Sequence, residues 1–325
     1  MEDPGAMSET GLSTEWSRAL GLRLPVVNAP MGGVAGGRLA AAVAAAGGLG
    51  MIGMGSAGSV EALERELPHV ADAAGPVGIG LVDWVTAARP GLFELALSAA
   101  PALLSVSFGS DLSWADRARA AGIRTATQVY TVDDARRAHD AGIDVLVARG
   151  LEGGGHGAPE LATLPLLEAV LDAVPGPVLA AGGIGSARGV AAMLAAGASG
   201  VWLGTALAAC TESLLSPGGR RALLAAEDTD TIVTRTFDVG MELPWPQRFP
   251  ARVLRNDFTA RWHDHLGELA GDTAARSELT AANTADDPRI APVDAGQGVG
   301  LVTAVRPVAD VLTEMCSGAA RLLGR

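Results

Sequence analysis

The chain has 325 residues, 49% of them hydrophobic, and a mean hydropathy of +0.29, enough apolar material for one large domain or two ordinary ones and too much for a disordered chain. Its formal net charge of −12 argues against a nucleic-acid or anionic-membrane partner, because both need a positive surface field. All 24 basic residues are arginine, which excludes a Schiff-base lysine and a P-loop lysine and leaves any bound phosphate to local backbone.

The residues before Met7 carry neither a basic stretch nor an apolar run, so no secretory signal is expected, and residues 1–20 read as an N-terminal extension. From residue 26 to about 210, short apolar or β-branched runs alternate with Ala/Leu-rich helical stretches. The predicted strands are 26–30, 49–53, 77–82, 103–108, 125–130, 145–149, 178–183 and 201–205. Helices are predicted between them, among them 37–46, 59–74, 132–141, 164–173 and 187–196, and repeated Ala-Gly endings supply a helix-stopping glycine before the next strand. Eight such units predict a closed (β/α)8 TIM barrel. Gly48-Leu49-Gly50-Met51-Ile52-Gly53 looks like a dinucleotide fingerprint, but it follows a helix and enters a strand, the reverse of what that motif requires. These glycines read instead as turn and close-packing positions. No uncharged stretch of about 20 apolar residues occurs, and Cys210 and Cys316 lack any metal-ligand or disulfide spacing. The expectation is a cytoplasmic protein without a membrane span or a metal site, its two thiols buried.

The most informative segment is 148–158, where Gly153, Gly154 and Gly155 precede His156 and Gly157 follows it. A backbone of this kind lies flat against a planar ligand, and the imidazole is the only general acid or base within the loop. In a barrel of this type chemistry gathers at the C-terminal strand ends, and phosphate sits beyond strands seven and eight. The seventh strand here runs into Gly182-Gly183-Ile184-Gly185-Ser186 and the eighth into Leu203-Gly204-Thr205. Both can aim N–H groups at an anion, the first beside a helix N-terminus.

These residues resemble the FMN-dependent nitronate monooxygenases, long called 2-nitropropane dioxygenases, which share their barrel with enoyl-acyl-carrier-protein reductase II and some NADH:quinone reductases. The likeness covers nearly the whole chain. It runs from Asn28-Ala29-Pro30-Met31, through the 39–50 segment, the 152–156 loop and the segments 180–184 and 202–205, to Gly296-Gln297-Gly298-Val299-Gly300 before a final helix. The resemblance implies FMN across the barrel mouth, with its phosphate on Gly182, Gly183, Gly204 and Thr205, beside Trp202 and Leu203. The ring would lie near Ala29, Pro30, Met31, Gly154 and Gly155, with Gln128 at its edge and His156 facing its reactive side as the catalytic residue. The implied reaction is oxidation of alkyl nitronates, and of nitroalkanes after loss of their α proton, by dioxygen to a carbonyl compound and nitrite. Two positions depart from the family's pattern. Gly80 stands where an asparagine is common, and Arg149 where a glutamine is common. Arg149 would either place a positive charge near the flavin pyrimidine edge, favouring its anionic reduced form, or pair with Glu152 as a support.

Residues 214–295 differ in composition and read as an inserted, mostly helical subdomain between strand eight and the C-terminal helix, the barrel being 21–213 and 296–325. Its aromatic residues among prolines, Trp245 and Phe249 included, suit either a lid or a packing and dimer surface; nothing ionisable is concentrated there. His263 and His265 read as solvated. The Ala-rich barrel helices leave room for a homodimer. Two other functions fit the same residues: an NADH-dependent reductase of an enone, enoyl thioester or quinone, and a phosphate-binding barrel without redox chemistry. Opening on Asn-Ala-Pro-Met, where the reductases often have Gln-Gly-Gly-Met, favours the monooxygenases.

Overall fold

The computed structural model describes residues 12–325. Eleven strands form: β1 (Val26–Asn28), β2 (Gly50–Met54), β3 (Val77–Val82), β4 (Leu103–Ser107), β5 (Arg124–Val129), β6 (Val145–Arg149), β7 (Gly155–His156), β8 (Val178–Ala181), β9 (Gly200–Leu203), β10 (Thr231–Thr234) and β11 (Ala251–Leu254). Eight of them make one parallel sheet in the order β1-β9-β8-β6-β5-β4-β3-β2. The sheet closes on itself where Val27 bridges Leu49. Buried Asn28 strengthens that seam: its side chain accepts from Met51 N–H at 2.7 Å and donates to Met51 C=O at 2.9 Å. This is the expected TIM barrel, and all eight predicted strands are present within one or two residues of their expected ends.

The predicted helix 59–74 is the largest local difference. It stops as Val60–Glu66 and continues only as a 3-10 turn, Leu67–Val70, because Pro68 has no N–H for a longer α-helix and its ring crowds the preceding turn. Elsewhere the glycine stops act as expected. Gly47 caps the helix Gly37–Ala46 at φ 102°, a left-handed conformation that costs any residue with a Cβ. The glycines at 50 and 53 are close-packing positions: a Cβ at Gly50 would sit 1.9 Å from Ala40 O, and one at Gly53 would sit 2.4 Å from Pro30 C.

The barrel interior is filled from below by Val27, Leu49, Met51, Leu103, Ala126, Val145, Val147, Leu179 and Trp202. Trp16, on the short helix Glu15–Ala19, plugs this end. The expected N-terminal extension is therefore packed in its described part, and residues 1–11 of it lie outside the described residues. The C-terminal helix Val308–Leu322 lies against the helices Ala187–Ala195 and Gly37–Ala46, across the β9–β1 seam. Cys210 and Cys316 are buried and free, and burial pushes both thiols up to about 12. Among the described residues no helix is long and apolar enough to cross a membrane.

The polypeptide between β9 and the last helix contributes six helices, among them Thr236–Gly240 and Thr273–Ala285, and the antiparallel pair β10–β11. The strands are an addition to the helical expectation, and they matter because β11 also pairs with β7, Ala251 opposite His156. A clamp on the other side of the barrel mouth holds this segment down. Arg248 donates to Asp134 through both guanidinium nitrogens, one at 2.9 Å, and Arg137 adds a bond of 2.9 Å. Burial raises the Asp134 carboxyl, but Arg248, Arg137 and the Tyr130 N–H outweigh it and hold the group below its usual range. A carboxylate with a depressed folded pKa stabilises the fold above its unfolded value of about 3.9 and loses that contribution as the pH falls through the folded value. With the Arg248 side chain 38% exposed, screening leaves about 1 kcal/mol. Asp134→Asn is expected to melt below the parent at pH 7, the gap narrowing below about pH 4. Equal melting temperatures at pH 7 would show that the clamp adds no stability.

Candidate active site

A cavity of about 980 Å³ opens at the C-terminal ends of the barrel strands, near the upper limit of roughly 300–1,000 Å³ for small-molecule sites. Its floor is a strip of minimal side chains in register, Gly53 beside Gly80 and Gly80 beside Ser105. The segment Ala29–Met31 crosses this strip. A Cβ at Gly80 would lie 2.2 Å from the Pro30 ring, so the proline occupies the space an asparagine there would need. That is the physical basis of the first departure. Of the residues singled out from the sequence, Ala29, Pro30, Met31, Gln128, Arg149, Gly154, Gly155, His156, Gly182, Trp202, Gly204 and Thr205 line this one cavity. Leu203 instead turns into the helix-facing core, its carbonyl accepting from Ala29 N–H at 2.7 Å. Gly183 lies at the rim beside Glu152.

His156 is delivered by β7 and held by two side chains. Its Nε2 lies 2.8 Å from Oδ1 of Asp238, which is 3% exposed. Trp245 stacks on the imidazole with centroids 3.5 Å apart and planes 8° apart. Nδ1 has no protein partner among the described residues and is not sealed from solvent, and the ring lines the cavity. With Asp238 ionised, Nε2 carries the ring proton and Nδ1 offers a lone pair, the tautomer of a general base. Trp245 is itself fixed by edge contacts with Trp84 and Phe108 and by a 3.1 Å bond from its Nε1 to Ser56 Oγ. Phe108 adopts φ 74°, an unusual conformation for an aromatic residue, and its ring packs between Trp245 and Phe249. Segment 243–250 thus crosses the mouth over His156.

Arg149 is 7% exposed and does not bond to Glu152. Its Nη2 donates to the carbonyls of Gly153, Gly154 and Gly155 at 3.0, 2.9 and 3.1 Å. Glu152 accepts instead from the N–H and hydroxyl of Thr163, at 2.9 and 2.7 Å, at the start of the helix Thr163–Ala173. Arg149 is a support, but of the loop carbonyls rather than of Glu152. Burial lowers its pKa, opposed by Tyr130, Asp294 and Glu152. The same loop rests on the C-terminal glycines: a Cβ at Gly154 would lie 2.6 Å from Gly296 N.

Asp238 and Asp294 were not legible as site residues, and the expectation that nothing ionisable gathers between 214 and 295 is corrected here. Both carboxylates come from that segment and flank His156. Burial raises the Asp294 carboxyl above its usual range; the charges of His156 and Arg149 pull it down, and that of Asp238 pushes it up. The residue is nonetheless exposed, on the wall of the cavity that it lines. Ser105 and Ser107 were also missed, although polar residues two apart in an apolar strand are a legible signal. His263 and His265 have side chains 37% and 55% exposed.

Past β8 and β9 the backbone N–H groups of Gly182, Gly183, Gly204 and Thr205 donate to no protein acceptor among the described residues. Gly182 and Gly183 take φ 118° and 65°, and Ser186 caps the adjacent helix Ala187–Ala195. The Thr205 hydroxyl accepts from Gly296 N–H at 2.9 Å, leaving its own proton free. Unpaired donors around a glycine cradle fit a phosphate group, and the strip of small residues beside them leaves room for a flat ring.

The family model of nitronate monooxygenase matches residues 14–90 and 91–318. A nitronate monooxygenase of Paraburkholderia phytofirmans is 32% identical, the match covering 74% of this chain and 76% of the relative. The (3aS,4S,5R,7aS)-5-hydroxy-7a-methyl-1-oxo-octahydro-1H-indene-4-carboxyl-CoA dehydrogenase of Rhodococcus jostii is 34% identical, covering 81% and 71%. The solved structure of FabK from Thermotoga maritima superposes with a TM-score of 0.84 at 27% identity, covering 96% of this chain and 97% of that one. With its barrel closed and its family model matched over nearly the whole chain, the chain belongs to the nitronate monooxygenase family and is a flavin-dependent oxidoreductase.

Proposed function

We propose that this protein binds FMN and oxidises alkyl nitronates with dioxygen to a carbonyl compound and nitrite, accepting neutral nitroalkanes when His156 first removes their α proton. The observation that carries the reading is His156 Nδ1, open on the cavity while Nε2 is held by Asp238. FMN would be held at its phosphate by Gly182, Gly183, Gly204 and Thr205. Its ring would be held by Ala29, Pro30, Met31, Gln128, Gly154, Gly155 and Trp202, with Leu203 contributing only backbone. When bound, the flavin supplies the electron acceptor. The chain's own residues do the rest. Arg149 keeps the glycine loop flat, Trp245 covers the imidazole and limits water around it, and His156 takes the proton from carbon onto Nδ1. Segment 243–250 acts as a fixed roof, and residues 214–295 as the subdomain that carries it, set on the barrel of 21–213 and 296–325.

A second reading is favoured by the outer cavity wall. Phe237, Met241, Leu243, Val253 and Val293 line it, more apolar surface than a small nitronate needs. An enone or acyl thioester would use it, as would a larger nitro compound. The test is anaerobic. Purified protein receives propionate 3-nitronate in one cuvette and NADH in another while the visible flavin absorbance is followed, and the released flavin is identified by its mass. A change with nitronate alone, followed by nitrite on admitting air, supports the proposal. Bleaching by NADH alone would overturn it in favour of the reductase reading.

A further inference from the structure

The small sheet places a second ionisable group beside His156. On one edge of β11, His156 sits opposite Ala251 and Asp294 sits opposite Val253. Residues two apart on a strand point to one face, and cross-strand partners share that face. His156 and Asp294 therefore project together, roughly 6.4–6.8 Å apart along the strand direction, toward the cavity that Ala251, Val253 and both side chains line. The Asp294 carboxyl has no hydrogen-bond partner and no ion pair within 4.0 Å among the described residues, and Gly155 leaves the space before it open. The groups facing it are His156, Asp238 and Arg149; the side chain of Arg252, on the same strand, turns the other way, to Leu151 O and Thr231 Oγ1.

We propose that Asp294 is a substrate-facing residue of this site, whose carboxyl, unpaired beside His156, donates a hydrogen bond to the oxygens of a substrate head that carries negative charge. The inference rests on the proposed function for the identity of that head, a nitronate. When a nitroalkane is the substrate, its C–H bond breaks and an N–H bond forms at His156 Nδ1. The electron pair left on carbon spreads onto the two nitro oxygens. Asp294 donates to one of these oxygens without giving up its proton, so His156 gains the only proton that moves. Two carboxyl groups thus hold different tasks, Asp238 orienting the imidazole through Nε2 and Asp294 donating to the substrate.

Three variants and two readouts test this. Asp294→Ala removes the donor and is expected to lower kcat/KM for nitronate on the order of 100-fold, the loss typical of one oxyanion donor. Asp294→Asn keeps a permanent N–H donor, so it is expected to stay within several-fold of the parent and to lose the fall in activity that accompanies ionisation of Asp294 in the parent. Asp238→Asn should lower activity while leaving that fall in place. The second readout needs no substrate: carboxyl ¹³C NMR of the protein, in which one aspartate titrates above the ordinary range and its resonance is missing from the Asp294→Asn spectrum. Asp294→Ala within twofold of the parent, or Asp294→Asn losing as much as Asp294→Ala, overturns the proposal. So does an Asp294 resonance that titrates in or below the ordinary range. A parent that oxidises no nitronate but shows the raised resonance removes the functional reading alone and retains Asp294 as a cavity acid.

Discussion

His156→Asn is expected to fold, to retain its flavin, and to lose about 10²–10⁴-fold of its turnover with neutral nitroalkanes, the range for removing a positioned general base. Preformed nitronates should suffer much less, because their α proton has already gone. The physical reason lies in the ring itself. Nε2 is committed to Asp238 at 2.8 Å, and only Nδ1 faces the cavity. Asparagine keeps polar contact with Asp238 but offers no lone pair of comparable basicity. Nitrite release from both substrates, measured beside the flavin-to-protein ratio, checks it. An equal loss with both at unchanged flavin content would remove the base role and leave His156 as a group that orients or neutralises the anion.

Arg149→Met is expected to have the largest effect on stability. The side chain is 7% exposed and holds three consecutive glycine carbonyls. Gly157 has room for no side chain, since a Cβ there would lie 1.9 Å from Arg149 Nη1. Methionine fills similar volume but strands those carbonyls, each worth about 1–3 kcal/mol when buried and unpaired. A loss of about 3 kcal/mol or more follows, with a further drop in activity as the loop bearing His156 shifts. Arg149→Gln separates the two readings of this residue. Glutamine retains donors without charge, so loop support is partly kept while any charge at the flavin edge is lost. Denaturant unfolding of both variants and their flavin absorbance are the measurements. If Arg149→Met unfolds like the parent, the carbonyl bonds are dispensable and the charge at the cavity wall is the reason for the arginine.

The barrel was legible because its signals are local. Each β-branched run, each Ala-Gly stop and each glycine pair is contained within one unit, and the units repeat, so the period alone identifies eight strands and their helices. The cradle at 182–183 and 204–205 was legible for the same reason, as was the histidine among its glycines. Pro68 is the instructive local miss: the apolar spacing continues past it, while the missing N–H does not allow the helix to do so.

The environment of His156 is different in kind. Asp238 stands 82 positions along the chain from His156, and Asp294 reaches the same face only because β11 pairs with β7 and with residue 294. No periodicity spans such separations, and one acidic residue among prolines and aromatics looks like any solvated one. One of the two readings of Arg149 made it a partner of Glu152, whereas its Nη2 bonds backbone carbonyls, which a sequence does not display. By itself the sequence determined the barrel, the glycine loop that bears His156, the glycine turns after β8 and β9 and the family resemblance, because short-range pattern and backbone freedom specify them. Only the tertiary structure decided how the imidazole is paired, covered and oriented, because hydrogen bonding and stacking depend on distances between segments far apart in the chain.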